Sequence, residues 1–285
     1  MFRAALVALA LSVAAPAMAD GPARIVSAGG DLTEIIYALG AGDRLVGADS
    51  TSTRPAEARE LARIGYVRRL AAEGVISLAP DLVIAAHDAG PDATMAQLTD
   101  AGVNVAVAPD AEIPDEVPAK VRFVGEAIGA EGTEGLVDAI TTDLAAVRTA
   151  AAKVETEPKV LFVLTLAGGA PMVGGGGTSA DVMIGEAGGV NAAAAIDGWK
   201  PMNTEAIIAA APDVIILSAG HVGRLGGLEA VMARPDLALT PAGKSGKAYP
   251  MDAMLLLGMG PEVATAIREL ALLIHPADQI EAAGF

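Results

Sequence analysis

One segment of this chain occurs twice. Ile76-Ser-Leu-Ala-Pro-Asp-Leu-Val-Ile84 returns 132 residues later as Ile208-Ala-Ala-Ala-Pro-Asp-Val-Ile-Ile216. Upstream, Gly65-Tyr66 answers Gly198-Trp199, and Glu73 answers Glu205. Both copies read as a helix, a Pro-Asp turn and a short aliphatic run suited to a buried parallel strand. An Ala-Pro-Asp match alone would be chance. An aromatic, a glutamate, a Pro-Asp pair and a strand in the same order mark two related half-chains. Such a chain folds as two units, and ligand sites favour the cleft between units.

The remaining pattern agrees. Short β-rich runs at Arg24–Ala28, Arg44–Ala48, Leu82–Ala86 and Val103–Val107 alternate with helical stretches at Asp31–Leu39 and Met95–Ala101. That alternation builds parallel sheets covered by helices. From Pro118 to about Val154 the pattern turns helical, with Val121, Val124, Ile128, Leu136, Ile140, Leu144 and Val147 as its apolar stripe. A break at Gly129 to Gly135 leaves a last helix of about 20 residues, roughly 30 Å long. The β pattern restarts at Lys159–Leu166 and Val214–Leu217. The predicted fold is α/β: two Rossmann-like lobes with central, mostly parallel sheets, joined by one long α-helix. The lobes fall at 20–114 and 157–285, with a linking helical segment at 115–156.

Residues 1–19, MFRAALVALALSVAAPAMA, hold one arginine, an apolar run from Ala4 to Ala15 and an Ala17-Met18-Ala19 cleavage pattern. This predicts a signal peptide, too short to span a bilayer, with the mature chain starting near Asp20. The chain has no cysteine, so it lacks the lipobox of a lipid-anchored protein, and the periplasm is the expected compartment. Disulfides, thiolate metal sites and cysteine nucleophiles are excluded with it. A net charge of −16 opposes general nucleic-acid binding, which needs a basic surface to displace counterions. Three histidines, at 87, 221 and 275, are too few for an all-histidine metal cage. The run Gly174–Gly177 lacks the Gly-Lys-Ser/Thr end of a phosphate loop and reads as a turn before a helix near Thr178 or Ser179. No Gly-x-Ser-x-Gly or His-Glu-x-x-His occurs. Binding is expected, not catalysis.

Aromatics are scarce, at three Tyr, four Phe and one Trp, so two at matching positions carry weight. Tyr66 and Trp199 are expected on loops that face each other over the cleft and clamp a flat, apolar ligand. Arg54, Arg59, Arg63, Arg68 and Arg69 crowd the stretch that contains Tyr66. Glu57 and Glu60 accompany the first three, which reads as a solvated face with local ion pairs. Arg68 and Arg69 have no acid beside them. A guanidinium next to a phenol favours an anionic oxygen, and a phenolate is a hard ligand suited to ferric iron. The same arginines suit carboxylates, which they grip with two N–H groups at once. Glu73 and Glu205, near helix starts, fit the positive end of the helix dipole or a two-point contact with a symmetric partner. His87 and His221 follow the strands after each Pro-Asp, where strand ends face the crevice, and Arg224 shares the His221 loop. His275 reads as structural or surface.

Gly65-Tyr-Val-Arg-Arg-Leu-Ala-Ala-Glu-Gly-Val-Ile-Ser-Leu-Ala-Pro-Asp81 resembles the haem-ligand segment of periplasmic haem-binding proteins of haem-uptake ABC transporters. Gly174–Asn191, Thr240-Pro-Ala-Gly243 and Leu255-Leu-Leu-Gly-Met-Gly-Pro261 are similar to further stretches of that family, so the resemblance runs over the mature chain. These are class III substrate-binding proteins, two lobes on a rigid linking helix, alongside vitamin B12 and siderophore binders. The resemblance implies a non-enzymatic, monomeric periplasmic protein that captures haem as cargo. It would deliver haem to an ABC permease dimer with its ATPase subunits, with an outer-membrane haem receptor upstream. Tyr66 would be the axial ligand to haem iron, Arg68 would bond the phenolate or a propionate, and Glu73 and Glu205 would dock on permease arginines. On the residue reading, Trp199 covers the porphyrin while Arg69 or Arg224 meets its charge. Cobalamin or a ferric siderophore is the alternative cargo. Some relatives place a histidine near the strand Leu161–Leu166 and bind a second haem; that strand has none here.

Overall fold

The computed structural model describes residues 21–166 and 169–285, so the leader assigned to residues 1–19 lies outside the described residues. The first half supplies β1 (Ile25–Ala28), β2 (Leu45–Ala48), β3 (Ala62–Arg63), β4 (Gly65–Tyr66), β5 (Arg69–Leu70), β6 (Leu82–Ala85) and β7 (Val105–Val107). Five of them form a wholly parallel sheet in the order β3-β2-β1-β6-β7, while β4 and β5 make a separate hairpin. The second half supplies β8 (Lys159–Thr165), β9 (Met172–Gly174), β10 (Val190–Asn191), β11 (Trp199–Pro201), β12 (Val214–Ser218) and β13 (Ala248–Met251). Their sheet runs β11-β9-β8-β12-β13, with β10 also on β8. β8, β10, β12 and β13 are parallel; β9 and β11 add an antiparallel edge. The expected α/β fold with two mostly parallel sheets is the observed one.

The repeat has a backbone cause. In both copies the alanine before the proline takes a left-handed conformation, φ 44° at Ala79 and 48° at Ala211. A following proline disfavours the right-handed helical conformation, so each helix stops there. The aspartate then accepts from the first amides of the neighbouring central strand. Asp81 Oδ2 accepts from Ala23 N–H and Arg24 N–H at 3.0 and 2.9 Å, ahead of β1. Asp213 Oδ2 accepts from Lys159 N–H at 2.9 Å, where β8 begins. These amides lack a sheet partner at the strand start, and the carboxylate supplies it.

The helix Val117–Ile128 ends at Gly129, which adopts φ 63°, and the helix Thr133–Ala151 follows. Its 19 residues span about 28 Å. Gly135 lies inside this helix on its exposed side, so the break is shorter than expected, ending at Gly132. Val137, Ile140, Leu144 and Val147 point inward as one stripe. They belong to a single core with Ile25 and Ile84 of the first sheet and Val160, Phe162 and Ile216 of the second. Burying one stripe against both sheets fixes the lobes to a common spine.

Charged side chains reinforce that spine. Lys120 Nζ donates to Asp31 at 2.6 Å and to the Met259 carbonyl at 3.3 Å, nearly shielded from water. Removing one partner of such a buried pair costs about 3–5 kcal/mol, because the other charge is stranded. Arg148, on the long helix, pairs with Asp115 on one side and Glu186 on the other. Arg54 pairs with Glu262 and lies 3.5 Å from Glu34. No helix among the described residues is long and apolar enough to cross a membrane.

Candidate functional site in the interlobe cleft

Tyr66 stands on a tight hairpin, not on the loop expected from sequence. β4 and β5 pair Gly65 with Leu70 and Tyr66 with Arg69, leaving Val67 and Arg68 as the turn. Gly65 has φ 106°, and a Cβ there would fall 2.8 Å from the Arg69 carbonyl oxygen, so only glycine lets the strands close. The tip is pinned to the chain after β6: Gly90 N–H donates to Val67 O, and Leu70 N–H donates to Gly90 O. Leu70 is buried beneath the hairpin while Tyr66 remains 38% exposed. Directly opposed residues share a face, which sets Arg69 beside the Tyr66 ring.

The five arginines divide sharply. Arg63 Nη1 donates to the carbonyls of Asp49 and Ser52, and Arg59 Nε to that of Thr53. With Arg54 on Glu34 and Glu262, these three hold the chain together; they do not pair with Glu57 and Glu60 as expected. Arg68 Nε and Nη2 bind Asp88 Oδ2 at 2.6 and 2.5 Å, and Nη1 lies 3.5 Å from the Tyr66 hydroxyl oxygen. Asp88 foremost strengthens the hold of Arg68 on its proton; burial opposes it, and Tyr66 adds a lesser push in the same direction as Asp88. Arg69 has no hydrogen-bond or ion-pair partner among the described residues. The local basic patch is therefore Arg68 and Arg69 alone, with one of them already neutralised.

Across the cleft, Trp199 starts β11 opposite Gly174 of β9. Its ring meets the buried Phe162 of β8 edge-on, with centroids 6.0 Å apart and planes at 78°. A Cβ on Gly174 would approach that ring to 3.1 Å, so the glycine leaves room for the indole to lie over the strand. Trp199 is 37% exposed, toward a cavity of about 430 Å³. Arg68, Asp110 and Ile113 line it from the first lobe, and Thr178, Trp199 and Leu257 from the second. Thr178 caps the helix Ser179–Glu186 by accepting from Asp181 N–H, so the glycine run is the turn before a helix that its sequence implies.

The cleft thus brings Arg68 and Trp199 to one cavity, with Tyr66 and Arg69 beside Arg68. Arg224 is not on that cavity's wall. It ends the helix Ala219–Arg224 with Nη2 3.0 Å from His221 Nδ1. His221 Nε2 accepts from Leu166 N–H at 2.9 Å, so a histidine stands at the end of β8 although β8 carries none. Burial, and secondarily Arg224, push the His221 pKa below its ordinary value. His87 Nδ1 lies 3.1 Å from Asp110 at the other wall. His275 is buried, with Nε2 2.8 Å from the Ala187 carbonyl and Thr156 at Nδ1, as a structural residue should be.

Glu73 and Glu205 are both exposed in the first turns of the helices Ala72–Ile76 and Thr204–Ala210, away from the cleft cavity. The second helix has a side-chain cap, Asn203 accepting from Ala206 N–H; the first has none. Glu205 also borders a separate hollow of about 420 Å³ with Arg234 and Asp236. Asp88 and Asp110 escaped sequence reasoning. The signal was available for Asp88: it adjoins His87 at a strand end that faces the crevice. No three His, Asp or Glu side chains among the described residues converge to hold a metal ion.

Comparison with known proteins agrees with this architecture. The family model described as periplasmic binding protein matches residues 25–255, and the chain belongs to that family. Periplasmic heme-binding protein RhuT from Roseiflexus sp. RS-1, solved in apo form, is 41% identical with a TM-score of 0.85, covering 92% of this chain and 100% of RhuT. The uncharacterized ABC transporter substrate-binding lipoprotein YvrC of Bacillus subtilis (strain 168) is 34% identical over 260 residues, 90% of this chain and 81% of YvrC. A vitamin B12-binding protein of Pectobacterium carotovorum subsp. carotovorum (strain PC1) is 32% identical over 117 residues, 41% of each chain.

Proposed function

We propose that this member of the periplasmic binding protein family captures haem between its lobes and delivers it to an ABC permease. The observation that carries the reading is a tyrosine hydroxyl presented on a rigid hairpin, with a guanidinium held against it and a second, unpaired guanidinium alongside. Haem iron arrives with four porphyrin nitrogens, so the protein needs to add only an axial ligand, and tyrosine oxygen is an established one. Tyr66 fills that role, Trp199 covers a face of the ring, and Arg69 meets the propionates. Arg68 offsets the anionic oxygen, and Arg224, on the helix that carries His221, serves the outer rim. The likeness to RhuT over nearly the full chain supports haem as cargo. The partial match to a vitamin B12-binding protein makes cobalamin the second reading.

The rest of the pathway follows from this reading. Residues 1–19 export the chain to the periplasm, where it works as a monomer. An outer-membrane receptor admits haem upstream, and Glu73 and Glu205 contact a permease dimer driven by its ATPase subunits. The function is transport, not catalysis.

The deciding experiment is a spectroscopic titration of the mature chain with hemin, run in parallel with cobalamin. Hemin should produce a high-spin spectrum with an iron–phenolate band. Tyr66→Phe should remove the band and lower affinity by more than the roughly 10- to 100-fold typical of an outer-shell change. An unshifted Soret band in the wild type, an unchanged spectrum in the variant, or tighter binding of cobalamin would overturn the assignment.

A further inference from the structure

We propose that Asp88 is a positioning residue that dedicates Arg68 to the Tyr66 oxygen and leaves Arg69 as the arginine that receives the carboxylates of the cargo. The inference rests on the haem reading of Tyr66 and extends it to Asp88, a residue that touches no cargo. Two neighbouring arginines of identical chemistry are made unequal by one carboxylate. Asp88 Oδ2 takes Arg68 Nε and Nη2 together, at 2.6 and 2.5 Å. That grip leaves Nη1 as the nitrogen turned to Tyr66, at 3.5 Å. Charge-assisted bonds of this length are the strong kind, and a guanidinium fixed along one edge loses the freedom to swing.

The backbone makes the arrangement rigid. Asp88 lies in the turn after β6, and that turn is bonded to the hairpin from both sides through Gly90. The carboxylate, the guanidinium and the phenol therefore keep fixed relative positions. Arg69, opposite Tyr66 on the same face, has no such partner among the described residues. A carboxylate approaching the hairpin meets a compensated Arg68 and an uncompensated Arg69. The uncompensated one attracts it more strongly.

Hemin-loaded wild type, D88N, D88A, D88E, R68Q, R69Q and the D88A/R68Q double variant test this, read by the iron–phenolate band and the haem release rate. D88A and R68Q should shift the band in the same direction and release haem about tenfold faster, as loss of an outer-shell partner does. The double variant should match R68Q alone, because Asp88 acts only through Arg68. D88E should restore the band. R69Q should weaken binding of hemin more than of its dimethyl ester while leaving the band in place. D88N keeps a neutral acceptor and guards against misfolding of D88A. A wild-type band that D88A and D88N leave unmoved, or shifts that add in the double variant, would overturn the role of Asp88 alone. A wild type without the band would overturn the Tyr66 reading and this one with it.

Discussion

The first lobe lines the cleft cavity with Arg68, Asp110 and Ile113, beside a hairpin that carries Tyr66 and Arg69; the second lines it with an indole, a glycine-rich turn and Leu257. Tyr66 and Trp199 occupy matching positions of a repeated segment, yet their settings differ. Tyr66 rides a hairpin outside the main sheet, with charged neighbours. Trp199 is part of the main sheet, braced edge-on by a buried phenylalanine. The repeat preserved where an aromatic projects and let the surroundings decide what it does. Among the described residues, charged side chains line only the first wall, and the large aromatic surface belongs to the second.

The comparison can be broken at the second wall. If Trp199 contributes mainly area, Trp199→Ala should weaken hemin binding by about 2 kcal/mol, roughly 30-fold, without moving the iron–phenolate band. Trp199→Phe should recover most of that loss. Calorimetry and absorbance on the same samples separate the two effects. A band shift in Trp199→Ala would mean that the walls are not chemically independent.

A pH-dependent effect tests the seam between the lobes. Burial, only partly offset by Arg54, raises the Glu34 pKa from 4.5 to about 8. Folding thus favours the protonated carboxyl. That contribution is fully present below about pH 4.5 and is lost as pH rises through about 8. Glu34→Gln mimics the protonated form, so its melting temperature should gain on the wild type across that window and keep a constant lead above it. For a chain of this size each kcal/mol is worth about 2–4 °C. A lead that does not vary with pH would refute the linkage.

The mildest expectation concerns the two exposed glutamates. Glu73→Ala with Glu205→Ala should leave hemin affinity within about twofold, as for surface changes far from the site. Haem uptake by cells should fall nonetheless. Either single variant should fall less than the pair, and the asymmetry between them would measure how differently the lobes engage the permease. Lost hemin affinity in the double variant would contradict a docking role.

Much of the fold was legible because its signals are local. Pro80-Asp81 and Pro212-Asp213 announce a helix stop and a strand, and each aspartate bonds the start of a central strand. The stripe Val137, Ile140, Leu144 and Val147 predicted a buried helix face, which the long helix has. The hairpin at Tyr66 was hidden because two-residue strands leave no periodicity to read. The trend toward a basic patch was misleading for the opposite reason: proximity in sequence is not proximity of free charge. Arg54, Arg59 and Arg63 are taken up by carbonyls and by Glu34 and Glu262, partners outside the stretch or on its backbone.

By itself the sequence determined two related α/β halves and a helical spine, since each follows from spacing along the chain. Only the tertiary structure decided that Arg68 belongs to Asp88 while Arg69 stays open, and that His221 rests at the end of β8. The pairs Arg68 with Asp88 and His221 with Leu166 join residues 20 and 55 positions apart in the chain. The energy of a charge depends on what lies within a few ångströms of it, whatever its distance along the chain.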